Sequence, residues 1–192
     1  MIRVFIADDH AIVRKGFRQI IEETPDMEVM GEAVNGHEVL EQLHKKDWDV
    51  LVLDLSMPGR SGMEIIHALR ELKPNLPVLV LSVHPEEQYA MRLFKSGISG
   101  YLNKEAAINS LVHAIRKVDA GGKYVSETLA EKLACELSGL HGKLPHETLS
   151  DREYRVLCML GEGKTVTHIA KELFISVKTV STYRTRILKK MN

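Results

Sequence analysis

At 192 residues the chain is long enough for two small domains or one large one, with a proper core in either case. Hydrophobic residues at 44% and charged residues at 27% are ordinary for a soluble globular protein, and no apolar run reaches the roughly 20 residues that a helical membrane span needs. The net charge of +0 hides an asymmetry: residues 148–192 hold nine Lys/Arg and four Asp/Glu, a net of +5, so residues 1–147 carry −5.

An acidic front and a basic tail point to nucleic acid as the partner of the tail. The N-terminus MIRVFIADD is already strand-like, with no apolar export segment, so a cytoplasmic location is expected. Cys135 and Cys158 have no metal-ligand or redox spacing and are expected to be reduced core residues.

In chain order, strand-like runs cover Ile2–Ala7, Glu28–Val34, Val50–Asp54, Pro77–Ser82 and Ser99–Asn103. Between them VRKGFRQIIEE, HEVLEQLHKK, MEIIHALREL and EQYAMRLFKSG have apolar spacing near 3.6. AAINSLVHAIRKVDAGG follows as a last helix that stops on two glycines. Five strands alternating with helices predict an α/β domain with a parallel sheet covered on both faces, ending near Gly122. Residues 123–147 read as a helical linker, in which Ser126 caps ETLAEKLACEL and a turn-rich SGLHGKLPHET follows. Residues 148–192 contain short helices only, a small all-α domain.

In such a sheet, ligands bind beyond the carboxyl ends of the strands. The residues leaving those ends are Asp8 and Asp9 after the first strand, Asp54 after the third, Ser82 after the fourth and Lys104 after the fifth. Three carboxylates this close repel one another, and Mg²⁺ relieves the repulsion while leaving room for phosphate oxygens. One carboxylate can then attack phosphorus and form an acyl phosphate, with the cation and Lys104 stabilising the transferring group. Asp54 is the better nucleophile candidate because its loop, stiffened by Pro58, holds it centrally. A lone Asp after a strand is usually a turn or capping residue; five such residues converging on one sheet edge are not.

IADDHAIVRKGF, VLVLDLSMPGRSGMEII, VLVLS and SGYLNK resemble the receiver domain of bacterial two-component response regulators, over Met1 to about Gly122. The resemblance implies a doubly wound, flavodoxin-like sheet with Asp54 as phosphoacceptor. It implies Mg²⁺ bound directly by Asp9 and Asp54, through water by Asp8, and by the Ser56 backbone carbonyl. It also implies that Ser82 and Tyr101 form a switch pair, Tyr101 turning inward as Ser82 moves, and that Lys104 senses the phosphoryl group. Val83 stands where the family usually has a smaller alanine, which is expected to crowd access to the site. Glu105 follows Lys104 where many receivers have proline, so no cis peptide is expected.

In the tail, Ser150 and Glu153 form a capping signature in LSDRE, TVTHIAKELF makes a short helix, and Ser176 caps VKTVSTYRTRILKKM. Val180, Ile187 and Leu188 are expected to face inward, and Lys178, Arg184, Arg186, Lys189 and Lys190 to line the outside. Helix, turn and basic final helix is an arrangement that enters the major groove of double-stranded DNA. LSDREYRVL, GEGKTVTHIAKEL and ISVKTVSTYRTRILKKM resemble the helix-turn-helix domain of the NarL/FixJ (LuxR-type) regulators, with wording that leans toward the GacA/UvrY-like branch. That resemblance implies that Ser181, Thr182 and Thr185 meet bases, while Lys178, Arg184 and Lys189 hold phosphates, with Thr179 in the same set. Family members usually continue through a further helix beyond Met191-Asn192, so weaker dimerisation and DNA binding are expected of this chain as it stands.

The sequence thus leads to a response regulator, not an enzyme, that receives a phosphoryl group from a sensor histidine kinase and dimerises on DNA. Two alternatives remain: a Mg²⁺-dependent phosphohydrolase with an aspartyl-phosphate intermediate, and a DNA-binding protein with a silent receiver.

Overall fold

The computed structural model describes residues 1–58, 62–83, 86–137 and 145–191. The chain forms two compact units, Met1–Glu131 and Lys132–Asn192. In the first, β1 (Ile2–Ala7), α1 (Ala11–Glu22), β2 (Met27–Ala33), α2 (Gly36–Lys45), β3 (Val50–Asp54), α3 (Gly62–Leu72), β4 (Val78–Ser82), α4 (Glu86–Lys95), β5 (Gly100–Asn103) and α5 (Lys104–Asp119) alternate; α6 (Glu127–Leu137) begins in the first unit and ends in the second. The sheet order is β2-β1-β3-β4-β5 and every pairing is parallel.

Every residue of β3 and β4 is buried, which is why their sequences are apolar without alternation. One face of the sheet packs Val4, Ile6, Val52 and Leu81 against Phe17 and Ile21 of α1 and Leu111 and Ile115 of α5. Three neighbouring strands therefore open their carboxyl ends on one edge, with Ala7, Asp54 and Ser82 as the last residues of β1, β3 and β4. Gly62 allows α3 to begin tight against the chain that leaves β3. A Cβ there would sit 2.5 Å from the Leu55 side chain and 2.9 Å from its Cα. Gly59, Arg60 and Ser61, which continue the loop after Pro58, lie outside the described residues.

Pairing continues past Gly122. Tyr124 bridges Gly100, and its carbonyl accepts from the Tyr101 N–H at 3.1 Å while its N–H donates to the Ser99 carbonyl at 2.9 Å. Ser126 caps α6 as expected, its hydroxyl accepting from the Leu129 N–H at 3.1 Å. Residues 138–144 of the expected connector and the side chain of Cys135 lie outside the described residues; Cys158 is half-buried and forms no disulfide among the described residues.

The second unit has a 3₁₀ turn (Pro145–Thr148) and α7 (Asp151–Gly161), α8 (Val166–Glu172) and α9 (Val177–Met191). Its core is Leu149, Val156, Met159, Ile169, Ala170, Val180 and Ile187. Leu188 corrects the expectation of an inward face: it is 55% exposed, because α7 and α8 cover only the stripe through Val180 and Ile187.

The turn between α8 and α9 places Phe174 at φ +53, a left-handed conformation costly for any residue with a side chain. Its ring is 75% exposed, so little burial offsets that cost. Phe174→Gly is therefore expected to stabilise the second unit by about 1 kcal/mol. Slower amide exchange in α8 and α9 would show it; unchanged or faster exchange would mean that the Phe174 ring contributes more than the turn costs.

Candidate functional site

The acidic crevice is built by backbone direction. Asp8 and Asp9 leave β1, Asp54 ends β3, Ser82 ends β4, and Lys104 opens α5 directly after β5. Asp8, Asp54 and Ser82 have no solvent exposure, whereas the Asp9 side chain is 30% exposed and forms the mouth. The Lys104 ammonium lies 2.7 Å from Asp8 Oδ2 and 2.9 Å from Asp54 Oδ2. No donor other than this ammonium reaches either of these two buried oxygens among the described residues. The other Asp54 oxygen, Oδ1, accepts from the Ser56 N–H at 3.1 Å. The Arg14 guanidinium donates to the Asp8 carbonyl at 2.8 Å and fixes the start of the loop.

Electrostatics follow from burial. Desolvation is the leading influence on Asp54 and raises its pKa above the usual carboxylate value, with Asp8 adding to the rise and Lys104 and the Ser56 N–H opposing it. Desolvation also works against the Lys104 ammonium, but Asp8 and Asp54 together outweigh it and raise its pKa. One ammonium thus faces two buried carboxylates and a third at the rim, a shortage of positive charge that suits a divalent cation. Ligand atoms of Asp8, Asp9, His10 and Asp54 all lie within 4.8 Å of one another, which fits such an ion.

His10 is the member that the sequence reading left out. Its Nδ1 is 2.9 Å from Asp9 Oδ1 and 3.2 Å from Asp8 Oδ1, and its backbone N–H donates to Asp8 Oδ1 at 2.8 Å. The signal was present as a histidine directly after two aspartates, but an exposed histidine at a helix start reads first as a cap. Tyr101 is 2% exposed, with its ring buried. Val83 is 61% exposed beside the site. No peptide bond among the described residues is cis, the Lys104–Glu105 bond included. A cavity of about 450 Å³ lined by Asp47, Trp48, Lys73 and Asp119 contains none of the crevice residues.

On α9, Lys178, Ser181, Thr182, Arg184, Thr185 and Lys189 are exposed and Thr179 is half-buried. Lys178, Ser181, Thr182, Thr185 and Lys189 follow helical spacing and share one stripe. The hydroxyls of Ser181, Thr182 and Thr185 donate to the carbonyls four residues earlier, at 3.0, 3.0 and 3.1 Å, which leaves their lone pairs facing outward. The Ser176 hydroxyl caps the helix by accepting from the Thr179 N–H at 3.0 Å, and it also pairs with the Thr179 hydroxyl at 2.7 Å. Lys178, Arg184, Arg186 and Lys189 form no ion pair among the described residues. Lys190 is exposed as expected, and its ammonium in addition reaches Glu153 Oε2 at 2.6 Å, so it ties α9 to α7.

The family model of the response regulator receiver domain matches residues 4–116, and that of the bacterial regulatory proteins of the luxR family matches residues 147–192. Response regulator UvrY of Escherichia coli (strain K12) is 34% identical over 193 residues, covering 100% of this chain and 88% of that protein. Response regulator GacA of Pseudomonas aeruginosa is 34% identical, covering 100% of this chain and 90% of that protein. Among solved structures, RcsB from Salmonella enterica serovar Typhimurium, bound to promoter rprA in the presence of phosphomimetic BeF3−, is 31% identical with a TM-score of 0.70, covering 100% of this chain and 93% of that one.

Proposed function

Because the chain belongs to the two-component response regulators that join a receiver domain to a LuxR-type DNA-binding domain, we propose that Asp54 receives a phosphoryl group and thereby controls DNA binding by α9. The observation that carries this reading is the fully buried Asp54 carboxylate, at the carboxyl end of the central strand, 2.9 Å from the Lys104 ammonium. We take the receiver as residues 1–122 with Tyr124 added at the sheet edge, a helical linker through residue 147, and the DNA-binding domain from residue 148.

An oxygen of the Asp54 carboxylate attacks phosphorus in line with the leaving group. With a phosphohistidine of a sensor kinase as donor, the P–N bond breaks and its electron pair returns to the imidazole. The Ser56 N–H on Asp54 Oδ1 orients the carboxylate. Lys104, already between Asp8 and Asp54, is placed to pair with an equatorial phosphoryl oxygen. Asp8, Asp9, Asp54 and the Ser56 carbonyl would hold Mg²⁺, which when bound neutralises charge on the transferring group. Ser82, at the end of β4, donates its hydroxyl to a phosphoryl oxygen and holds β4 and β5, with the Tyr101 ring, in one of two packings.

The phosphorylated form dimerises and sets two copies of α9 in successive major grooves. Ser181, Thr182 and Thr185 meet base edges, while Lys178, Thr179, Arg184 and Lys189 contact the backbone. Asp54 is read as an acceptor rather than a turnover nucleophile, because aspartyl-phosphate hydrolases of the alternative class carry theirs after the first strand. No helix among the described residues is long and apolar enough to cross a membrane, and we assign the regulator to the cytoplasm with its DNA.

Incubation with acetyl phosphate and Mg²⁺, followed by intact mass, tests the reading. One phosphoryl adduct is expected on the wild-type chain and none on Asp54→Asn. An adduct that persists on Asp54→Asn would move the acceptor elsewhere.

A further inference from the structure

With a divalent cation among Asp8, Asp9 and Asp54, the reading on which this step rests, we propose that Arg14 is a positioning residue for that cation. Clamped by Glu32, it fixes the Asp8 main chain and so sets how tightly the crevice binds Mg²⁺.

The end of the sheet shows why a side chain is needed there. The last pair of the β1–β2 ladder is Ala7 with Ala33. Asp8 still gives its N–H to the Ala33 carbonyl at 3.1 Å, but its own carbonyl lies beyond that pair. Arg14 Nη1, at 2.8 Å, takes the place of the missing strand donor. The carboxylate is held as well, Oδ1 by the His10 N–H at 2.8 Å and Oδ2 by the Lys104 ammonium at 2.7 Å. A peptide fixed in this way keeps the Asp8 oxygens where a cation needs them; a rotating one would swing them aside.

Arg14 is itself immobilised. Its Nε donates to Glu32 Oε2 at 3.0 Å, and its side chain is only 14% exposed. Glu32 Oε1 accepts Arg18 Nε at 2.7 Å, and Arg18 Nη1 reaches Glu22 Oε1 at 2.7 Å. The contacts thus run from α1 through β2 and end on the residue that leaves β1.

An ordinary ion pair between α1 and β2 accounts for Glu32 but not for where Arg14 stands. It lies in the first turn of α1, where the helix dipole disfavours a cation and no acidic residue accompanies it. Arg116 and Asp26 form the ordinary kind of pair, at 2.8 Å through both Nε and Nη2, with Asp26 just before β2 at the opposite edge of the sheet. Arg14 instead divides its guanidinium between a carboxylate and a main-chain carbonyl. A lysine ammonium keeps the charge there but cannot reproduce the planar two-sided geometry. Arg14→Lys therefore isolates positioning. Removing the charge as well would deepen the negative potential of the crevice and pull in the opposite direction, toward tighter Mg²⁺ binding.

The test titrates the ¹⁵N-labelled full chain with Mg²⁺ and follows the Asp9 and His10 amide shifts. The Mg²⁺ Kd is expected to rise at least about tenfold in Arg14→Lys, the lower end of what residues orienting metal ligands contribute. It is expected to rise in Glu32→Gln too, with little further rise in the double variant, because both act through one line of contacts. Arg116→Lys is expected to leave it unchanged. Labelling by acetyl phosphate at saturating Mg²⁺ is expected to reach the wild-type rate in Arg14→Lys, with only its Mg²⁺ dependence shifted. Wild-type Mg²⁺ affinity in Arg14→Lys and Glu32→Gln, with a lowered urea midpoint or without one, overturns the clamp. A rate that stays low at saturating Mg²⁺ overturns it too, since Arg14 would then act on phosphoryl transfer and not through the cation. In either case Mg²⁺ binding that is lost in Asp9→Asn leaves the acidic site standing. No Mg²⁺-dependent shift in the wild type, or the same shift in Asp9→Asn, overturns the cation site itself.

Discussion

Lys104→Met is expected to destabilise the metal-free first unit by about 3–5 kcal/mol, the usual cost of removing one partner from a buried charge group. The ammonium is the only cation within ion-pair distance of Asp8 Oδ2 and Asp54 Oδ2 among the described residues, and both aspartates have no solvent exposure. Without it, two carboxylates lie side by side in a desolvated crevice, each with an oxygen that no donor approaches. Urea unfolding followed by the chain's one tryptophan reads this directly, because Trp48 is buried in the same unit and stacks on Phe5 at 4.7 Å. Two rescues distinguish charge from packing. Asp54→Asn in the Lys104→Met background removes one of the stranded charges and is expected to restore more than half of the loss. Mg²⁺ is expected to stabilise Lys104→Met by more than it stabilises the wild type, since the cation now supplies charge that the lysine no longer does. A loss below about 1 kcal/mol, or no recovery with Asp54→Asn, would show that water reaches the carboxylates and that Lys104 serves phosphoryl transfer alone.

The sheet and most of the crevice could be read from the sequence for one physical reason. Parallel strands buried on both faces need continuous apolar runs, so Asp8 and Asp9 after FIA, Asp54 after VLVL and Lys104 after YLN stand out at their ends. Strand direction then gathers them on one edge without further information. What escaped depends on contacts between residues distant in sequence, or on orientation. Tyr124 joins the sheet beside β5 because the Ser99 and Tyr101 backbone groups are open there, which no local pattern announces. Leu188 lies one residue beyond Ile187, where helical rotation has already carried it past the cover of α7 and α8. Arg70 looks like a solvated last-turn residue, yet its guanidinium donates to the carbonyls of Pro74 and Leu76 at 2.6 and 3.0 Å and closes the end of α3. Lys190 was counted with the basic outer face of α9; only the fold sets Glu153 across from it.

That last pair yields the larger prediction for the second unit. Glu153 is 3% exposed, and its Oε2 accepts both the Ser150 N–H at 2.8 Å and the Lys190 ammonium at 2.6 Å. The same ammonium reaches the Thr148 carbonyl at 3.4 Å. One carboxylate therefore completes the capping box of α7 and anchors the last turn of α9, the helix whose stripe meets DNA in the proposed function. Glu153→Gln keeps an acceptor for the cap and loses the ion pair; it is expected to cost about 1.5 kcal/mol. Glu153→Ala loses both and strands Lys190, and about 3 kcal/mol is expected, a large share of what so small a core provides. Burial alone would raise the Glu153 pKa, but Lys190 and Ser150 overcome it and hold it below its usual value of 4.5. A carboxylate depressed in the folded state contributes stability that is full above its unfolded value and is lost as pH falls through the folded one. Wild-type α9 amides should thus lose exchange protection as pH drops below about 4.5, after correction for intrinsic exchange, whereas Glu153→Gln should start lower and change less over the same range. Parallel pH profiles in the two proteins would assign the acid sensitivity to other carboxylates and reduce the Glu153–Lys190 contact to packing. A recognition helix that loosens in Glu153→Ala while α8 stays protected would show that this single latch, at the far end of α9 from its cap, sets how the helix is presented.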